Sequence, residues 1–226
     1  MADKTPVLYT EAQEKSIRWY IPHIFGEKKS RFTFYEFESE YVHIDFMSAG
    51  FDERALVTVG VGAREMNSPV PDADRIELAM HMRDRSAEMN DDVPSADEAI
   101  IAAELARLGR YPFKCDTWFA PGHIIDASEE FEKAFGYKHF LLMLRDFDEY
   151  PVKGLGKVRF LSAAPIYEDE YEWMMNNEDG VCRFYLELYG LIVFEDTLLC
   201  VDNRRDLIIP PDPGDGEQSV KKGREE

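Results

Sequence analysis

Tyr41-Val42-His43-Ile44-Asp45-Phe46-Met47, followed after a turn by Ala55-Leu56-Val57-Thr58-Val59-Gly60-Val61, reads as two consecutive strands. In the first, Val42, Ile44 and Phe46 alternate with Tyr41, His43, Asp45 and Met47, the period-2 pattern of a half-buried strand. The second is dense in β-branched residues and predicts a central strand. The loop 48–54 between them turns at Gly50. Upstream, Phe32, Phe34 and Phe37 extend the β-prone region. Downstream, beyond a Pro-containing loop over 64–74, Ile76, Leu78, Met80 and Met82 point one way while Arg75, Glu77, His81 and Arg83 point the other. The middle of the chain is therefore a sheet.

Helices flank it. Thr10-Glu11-Ala12-Gln13 is a capping box. The residues after it place Ile17, Ile21, Ile24 and Phe25 on one apolar face, with a kink or restart expected at Pro22 and a stop at Gly26. Ser95-Ala96-Asp97-Glu98 is a second capping box, opening a helix with Ile101, Leu105 and Leu108 on one face and a stop at Gly109. Residues 85–93 are polar. Short elements follow: a strand over 122–126, a helical turn over 128–135, a strand over 139–144 apolar on both faces, and a strand over 157–163 ending before Pro165. Residues 167–176 and 181–189 read as helices separated by Gly180. The run 191–201 is apolar, with helix and strand both open. From Pro210 on, a Pro-rich acidic tail is expected to be disordered. No linker or repeat divides the chain before it. The fold class is α+β: a single domain over 1–209, a mixed sheet packed by helices, plus the tail 210–226.

Composition narrows the chemistry. Of 226 residues, 45% are hydrophobic, including 15 Phe, 11 Tyr and 3 Trp, enough for a sizeable core. No apolar run approaches the roughly 20 residues of a membrane span. Met1 to Pro6 lacks the apolar stretch of a secretory signal, so the cytoplasm is the expected compartment. Cys115, Cys182 and Cys200 are few, odd in number and far apart. They read as buried hydrophobes, not a disulfide framework or zinc site. Lys and Arg total 26 against 45 Asp and Glu, a net charge of −19. That field repels nucleic acid and anionic membranes and favours encounter with a basic protein. It also serves simple solubility.

Several residue sets could carry function. His43 and Asp45 share a strand face, where they stabilise a polar surface, contact a partner, or act as an oriented general base. No accompanying nucleophile or metal set is evident. Trp118 covers the core edge near His123, and the histidines lack metal-ligand spacing. Gly154-Leu155-Gly156-Lys157 precedes a strand, the wrong order for a phosphate loop, and reads as a hairpin turn. Glu168, Asp169, Glu170 and Glu172 suit a helix N-terminus or a docking surface for a basic protein. Tyr167, Tyr171 and Trp173 lie among them, and aromatic residues are enriched at binding hot spots.

In order along the chain, His23-Ile24-Phe25-Gly26, His43-Ile44-Asp45 with Leu56-Val57-Thr58-Val59-Gly60, Met66-Asn67, Glu77-Leu78, Asp116-Thr117-Trp118 with Gly122-His123, Pro165-Ile166 with Glu168 and Glu170, and Val201-Asp202 with Arg204 or Arg205 together resemble the suppressor-of-fused-like (SUFU) family over residues 15–205. Gly60-Val61-Gly62 departs from the Gly-Met-Ser often found there, and the tail after 209 is an addition. The resemblance implies a SUFU-like fold and a non-enzymatic protein-binding module without cofactors. Animal members clamp a short peptide of a transcription factor and carry an extra C-terminal region. Single-domain bacterial members are associated with secreted toxins as immunity proteins. The implied partner is another protein, a basic toxin domain or a short peptide. The candidate contacts on this chain are His43, Asp45, Trp118, His123, Glu168, Asp169, Glu170 and Glu172. A hydrolase using His43, Asp45 and His123 stands as the further alternative.

Overall fold

In the computed structural model, residues 7–25, 43–48, 53–71, 74–83, 95–192, 199–202 and 205–210 are described. Their elements run α1 (Glu11–Phe25), β1 (His43–Ser48), β2 (Glu53–Val59), β3 (Ile76–Arg83), α2 (Ala96–Cys115), β4 (Ile124–Asp126), α3 (Glu129–Phe135), β5 (His139–Val152), β6 (Gly156–Ile166), α4 (Glu168–Asn176) and α5 (Gly180–Ile192). The strands form one mixed sheet in the order β1-β2-β3-β6-β5-β4. Only the β3–β6 pairing is parallel among them. The α+β expectation is met.

Both capping boxes form. Thr10 N donates to Gln13 Oε1 at 2.9 Å, and Gln13 N donates to Thr10 Oγ1 at 3.4 Å. Ser95 N donates to Glu98 Oε2 at 2.7 Å, and Glu98 N donates to Ser95 Oγ at 3.2 Å. The other carboxylate oxygen of Glu98 binds buried Arg54 of β2 at 2.6 Å, so the cap also ties α2 to the sheet. Pro22 lies within α1 and does not end it. It gives up the bond that an N–H at this position would make to the carbonyl of Arg18, and the last turn continues past it to Phe25.

The sheet is covered on both faces. On one, Ile101, Leu105 and Leu108 of α2 and Phe131 of α3 pack on Leu56, Leu78, Met80, Leu142 and Leu161. On the other, Ile17, Ile21 and Phe25 of α1 meet Val57, Ala79 and Phe160. Beside them, Met174, Phe184 and Leu188 of α4 and α5 meet Leu141, Met143, Ala164 and Ile166. The polar face of β3 therefore lies under α1, and Glu77 and His81 are 0% exposed.

Other boundaries differ from expectation. Helix α2 passes Gly109 and reaches Cys115. A Cβ at Gly109 would lie 2.6 Å from Val61 Cγ2, so this glycine serves close packing and not termination. The helix closes instead at Asp116, in the left-handed region at φ 49. Strand β5 continues past residue 144 through an irregularity to Val152, and β6 runs through Pro165, which pairs with Phe140. In the ambiguous run 191–201, α5 extends to Ile192 and Cys200 bridges His81 in parallel. Only Cys200 is buried. Cys115 and Cys182 are exposed, against the expectation of three core cysteines. The Phe32–Phe37 run, the stop at Gly26, the turn at Gly50, the polar stretch 85–93 and the tail from 211 lie outside the described residues.

Candidate functional site

The turn Pro121-Gly122-His123 divides two neighbouring concavities. It is pinned to β5 from both sides: Gly122 N donates to Leu142 O at 2.8 Å, and Leu142 N donates to His123 O at 2.9 Å. Before the turn, buried Phe119 stacks on Tyr111, with ring centroids 5.9 Å apart. Trp118 is partly buried and meets His123 edge-on at 4.7 Å. Both residues are among the contacts expected from the sequence, and the fold brings them together.

The first concavity, about 580 Å³, is lined by Arg107, Tyr111, Trp118, His123 and strand β4. Arg107 closes its far end, donating to Asp126 O at 2.6 Å and pairing with buried Glu104. Strand β4 is the sheet's last strand. The bonds His123 O to Leu142 N and Ala127 N to Lys138 O commit the odd-numbered residues here to β5. The backbone of Ile124 therefore faces outward, as alternate residues of an edge strand do.

The second concavity, about 690 Å³, lies between Pro121-Gly122 and the α4–α5 hairpin, with Met174, Met175, Val181, Tyr185 and Leu186 among its lining. Leu186 is 63% exposed and Met175 49%. Tyr185 Oη is held on the β5 backbone by Leu144 N at 3.0 Å. The hairpin is tight, because a Cβ at Gly180 would fall 2.3 Å from the carbonyl oxygen of Met174. Backbone cannot yield as a flexible side chain does. Gly180→Ala is expected to destabilise the protein by about 2 kcal/mol, read as a lowered urea midpoint. A midpoint at or above wild type would refute the close approach.

The acidic set divides. Asp169 and Glu172 are exposed on α4. Glu168 pairs with Lys138 at 2.9 Å, and that bond holds its carboxyl below the usual range. Beside it His139 stacks on Tyr171 at 4.1 Å and its Nδ1 meets Asp126 Oδ1 at 2.9 Å. Glu170 is a correction to the expected contact surface. It is fully buried, pairs with Arg205 through both oxygens, and accepts from Ile208 N and Tyr167 N.

His43 and Asp45 lie on β1, opposite Val59 and Val57 of β2. Among the described strands, β1 is one edge of the sheet and β4 the other. Five inter-strand spacings separate them, roughly 24 Å. His123, at the start of β4, thus stands at the opposite side of the sheet from the strand that carries His43 and Asp45. Among the described residues no group of three His, Cys, Asp or Glu is placed to hold a metal ion. No described helix is long and apolar enough to cross a membrane.

The sequence reading missed Met175, Val181, Tyr185 and Leu186. A signal was present: α5 carries Phe184, Leu188 and Ile192 on its buried stripe and a second apolar stripe beside it. A helix apolar beyond one stripe has more than one apolar surface to cover.

The family model for Suppressor of fused protein (SUFU) matches residues 40–205. The fold is similar to that of a protein described as a SUFU homologue from Neisseria gonorrhoeae FA 1090, at 14% identity and TM-score 0.56, over 88% of this chain and 98% of that one. Drosophila Suppressor of Fused is similar at 12% identity and TM-score 0.58, over 98% of this chain and 56% of that one. A chain of the Sufu-Fu complex is similar at 14% identity and TM-score 0.53, over 89% of this chain and 100% of that one. No curated protein matches the chain.

Proposed function

The chain belongs to the suppressor of fused family, and we propose that it is a non-enzymatic protein-binding module of immunity type, one that occludes a basic toxin domain. The observation that carries the reading is the paired concavity around Pro121-Gly122-His123, with Trp118 on one side and exposed Leu186 and Met175 on the other. Partly buried aromatics beside apolar hollows anchor protein interfaces. The net charge of −19 favours a cationic partner. A similar fold occurs in a Sufu-Fu complex, which supports binding of protein.

The test pairs this protein with a panel of basic toxin domains, taking first any encoded beside it. One of them is expected to form a stoichiometric complex that weakens with salt and loses toxicity. Trp118→Ala is expected to weaken that complex about 30-fold. Unchanged toxicity in every pairing would remove the immunity role.

The outward backbone of Ile124 favours a second reading, a clamp that adds a short peptide to the β4 edge. Binding of isolated linear peptides, blocked by Ile124→Pro and indifferent to toxin domains, would select the clamp over the inhibitor.

A further inference from the structure

We infer that the concavity between Pro121-Gly122 and the α4–α5 hairpin receives one large apolar side chain from a partner segment whose flanking residues are Lys or Arg. The inference rests on the protein-binding reading and adds the chemistry of the segment bound.

The interior of the hollow is apolar. Met174, Met175, Val181 and Leu186 supply thioether and branched aliphatic surface, and Tyr185 presents its ring while its hydroxyl is engaged by Leu144. Methionine adapts its shape to an incoming group better than stiffer side chains do. At about 690 Å³ the hollow exceeds the needs of a single aromatic ring, so neighbouring side chains of the segment also fit.

The α4–α5 hairpin that walls the hollow has the opposite character. Across 168–192 seven carboxylates, on Glu168, Asp169, Glu170, Glu172, Glu178, Asp179 and Glu187, stand against one cation, Arg183. Arg205 and Lys138 neutralise two of the seven, Glu170 and Glu168. Arg183 lies over the Trp173 ring at 4.9 Å. Asp179 lines the mouth itself, and Glu178 is exposed beside it. An anionic segment is repelled here, and a neutral apolar one leaves the rim charges unused. A cationic segment with an apolar anchor satisfies both parts of the surface.

The test uses two fluorescein-labelled peptides, Lys-Lys-Ser-Phe-Ser-Lys-Lys and the same peptide with Ser in place of Phe. Both are titrated against the full chain, and methyl spectra locate any that binds. The Phe peptide is expected to bind about tenfold more tightly, with shifts concentrated on Met174, Met175, Val181 and Leu186. Leu186→Lys and Met175→Lys, at exposed positions that leave the core intact, are expected to abolish that tenfold difference. Val70→Ala, at an exposed position on the loop before β3, is expected to preserve it. Equal affinity of the two peptides, or shifts spread over the acidic surface, would overturn the inference. A toxin complex that leaves these four methyls unshifted would also overturn it while leaving the protein-binding reading intact. Docking of the Phe peptide at these methyls, with no toxin domain bound, would sustain it while that reading fell.

Discussion

Glu170→Ala is expected to lower the unfolding free energy by about 3–5 kcal/mol, the usual cost of removing one partner from a buried ion pair. The pair is well sheltered: the side chains of Arg205 and Glu170 are 3% and 0% exposed. Arg205 Nη2 donates to Glu170 Oε2 at 2.8 Å and to Pro165 O at 3.1 Å, and Nη1 reaches the other carboxylate oxygen. Ile208 N and Tyr167 N also donate to the carboxylate, and Tyr167 Oη donates to Arg205 O at 3.0 Å. One carboxylate thus joins the end of β6, the first turn of α4 and the segment 205–210. Its removal strands a guanidinium and two amide donors together. In a protein of this size the loss corresponds to a melting temperature roughly 10 °C lower. Replacing both partners, as Glu170→Leu with Arg205→Met, is expected to recover much of the loss, because no buried charge remains. Urea unfolding followed by circular dichroism measures both. A single-variant loss below about 1 kcal/mol would show that water reaches the pair.

The contrast between Glu170 and its neighbours shows where sequence reading reaches its limit. Glu168, Asp169, Glu170 and Glu172 look alike as a run of acids before a helix. Helical geometry turns Glu170 inward, and its partner lies 35 residues on. Nothing local announces that partner. The same limit explains β3. Alternation placed Glu77 and His81 on one face and Leu78 and Met80 on the other, as observed. That this polar face is dry depends on α1, which packs from more than 50 positions upstream. Local signals fared better. Both capping boxes, the amphipathic stripes of α1 and α2 and the β1 and β2 strands were legible because short-range chemistry determines them. Trp118 and His123 were both legible as candidate contacts, and only four residues separate them. The second concavity was not, since it exists only where the turn at 121–122 meets α5.

Glu77→Ala is expected to cost about 4 kcal/mol, because four donors, all but Gly60 N fully buried, lose their common acceptor. Tyr9 Oη donates to Glu77 Oε1 at 2.7 Å, as do Gly60 N at 2.9 Å and Gly62 N at 3.1 Å. Thr58 Oγ1 donates to Oε2 at 2.6 Å. The carboxyl thereby fastens the segment before α1 and the turn after β2 to the centre of the sheet. Glu77→Gln keeps the shape and an acceptor at Oε1, but it sets an amide donor against Thr58, whose oxygen already accepts from Leu78 N at 2.8 Å. A cost of about 1–2 kcal/mol is expected for it. The two variants also differ from wild type in pH response. Burial raises the Glu77 carboxyl from 4.5 to about 7, and the four hydrogen bonds only partly oppose that rise. The folded state therefore holds this proton more tightly than the unfolded chain does. The contribution is fully present below pH 4.5 and is lost as pH rises through 7, a change on the order of 3 kcal/mol. Glutamine does not titrate, so the stability gap between wild type and Glu77→Gln is expected to close across that window and, with a loss on the order of 3 kcal/mol set against it, to change sign. Urea unfolding at closely spaced pH values from 4 to 8 reads the gap directly, with all other titrating groups common to both proteins. Parallel curves would mean that the four donors hold Glu77 ionised throughout, and the burial argument for its proton would fall.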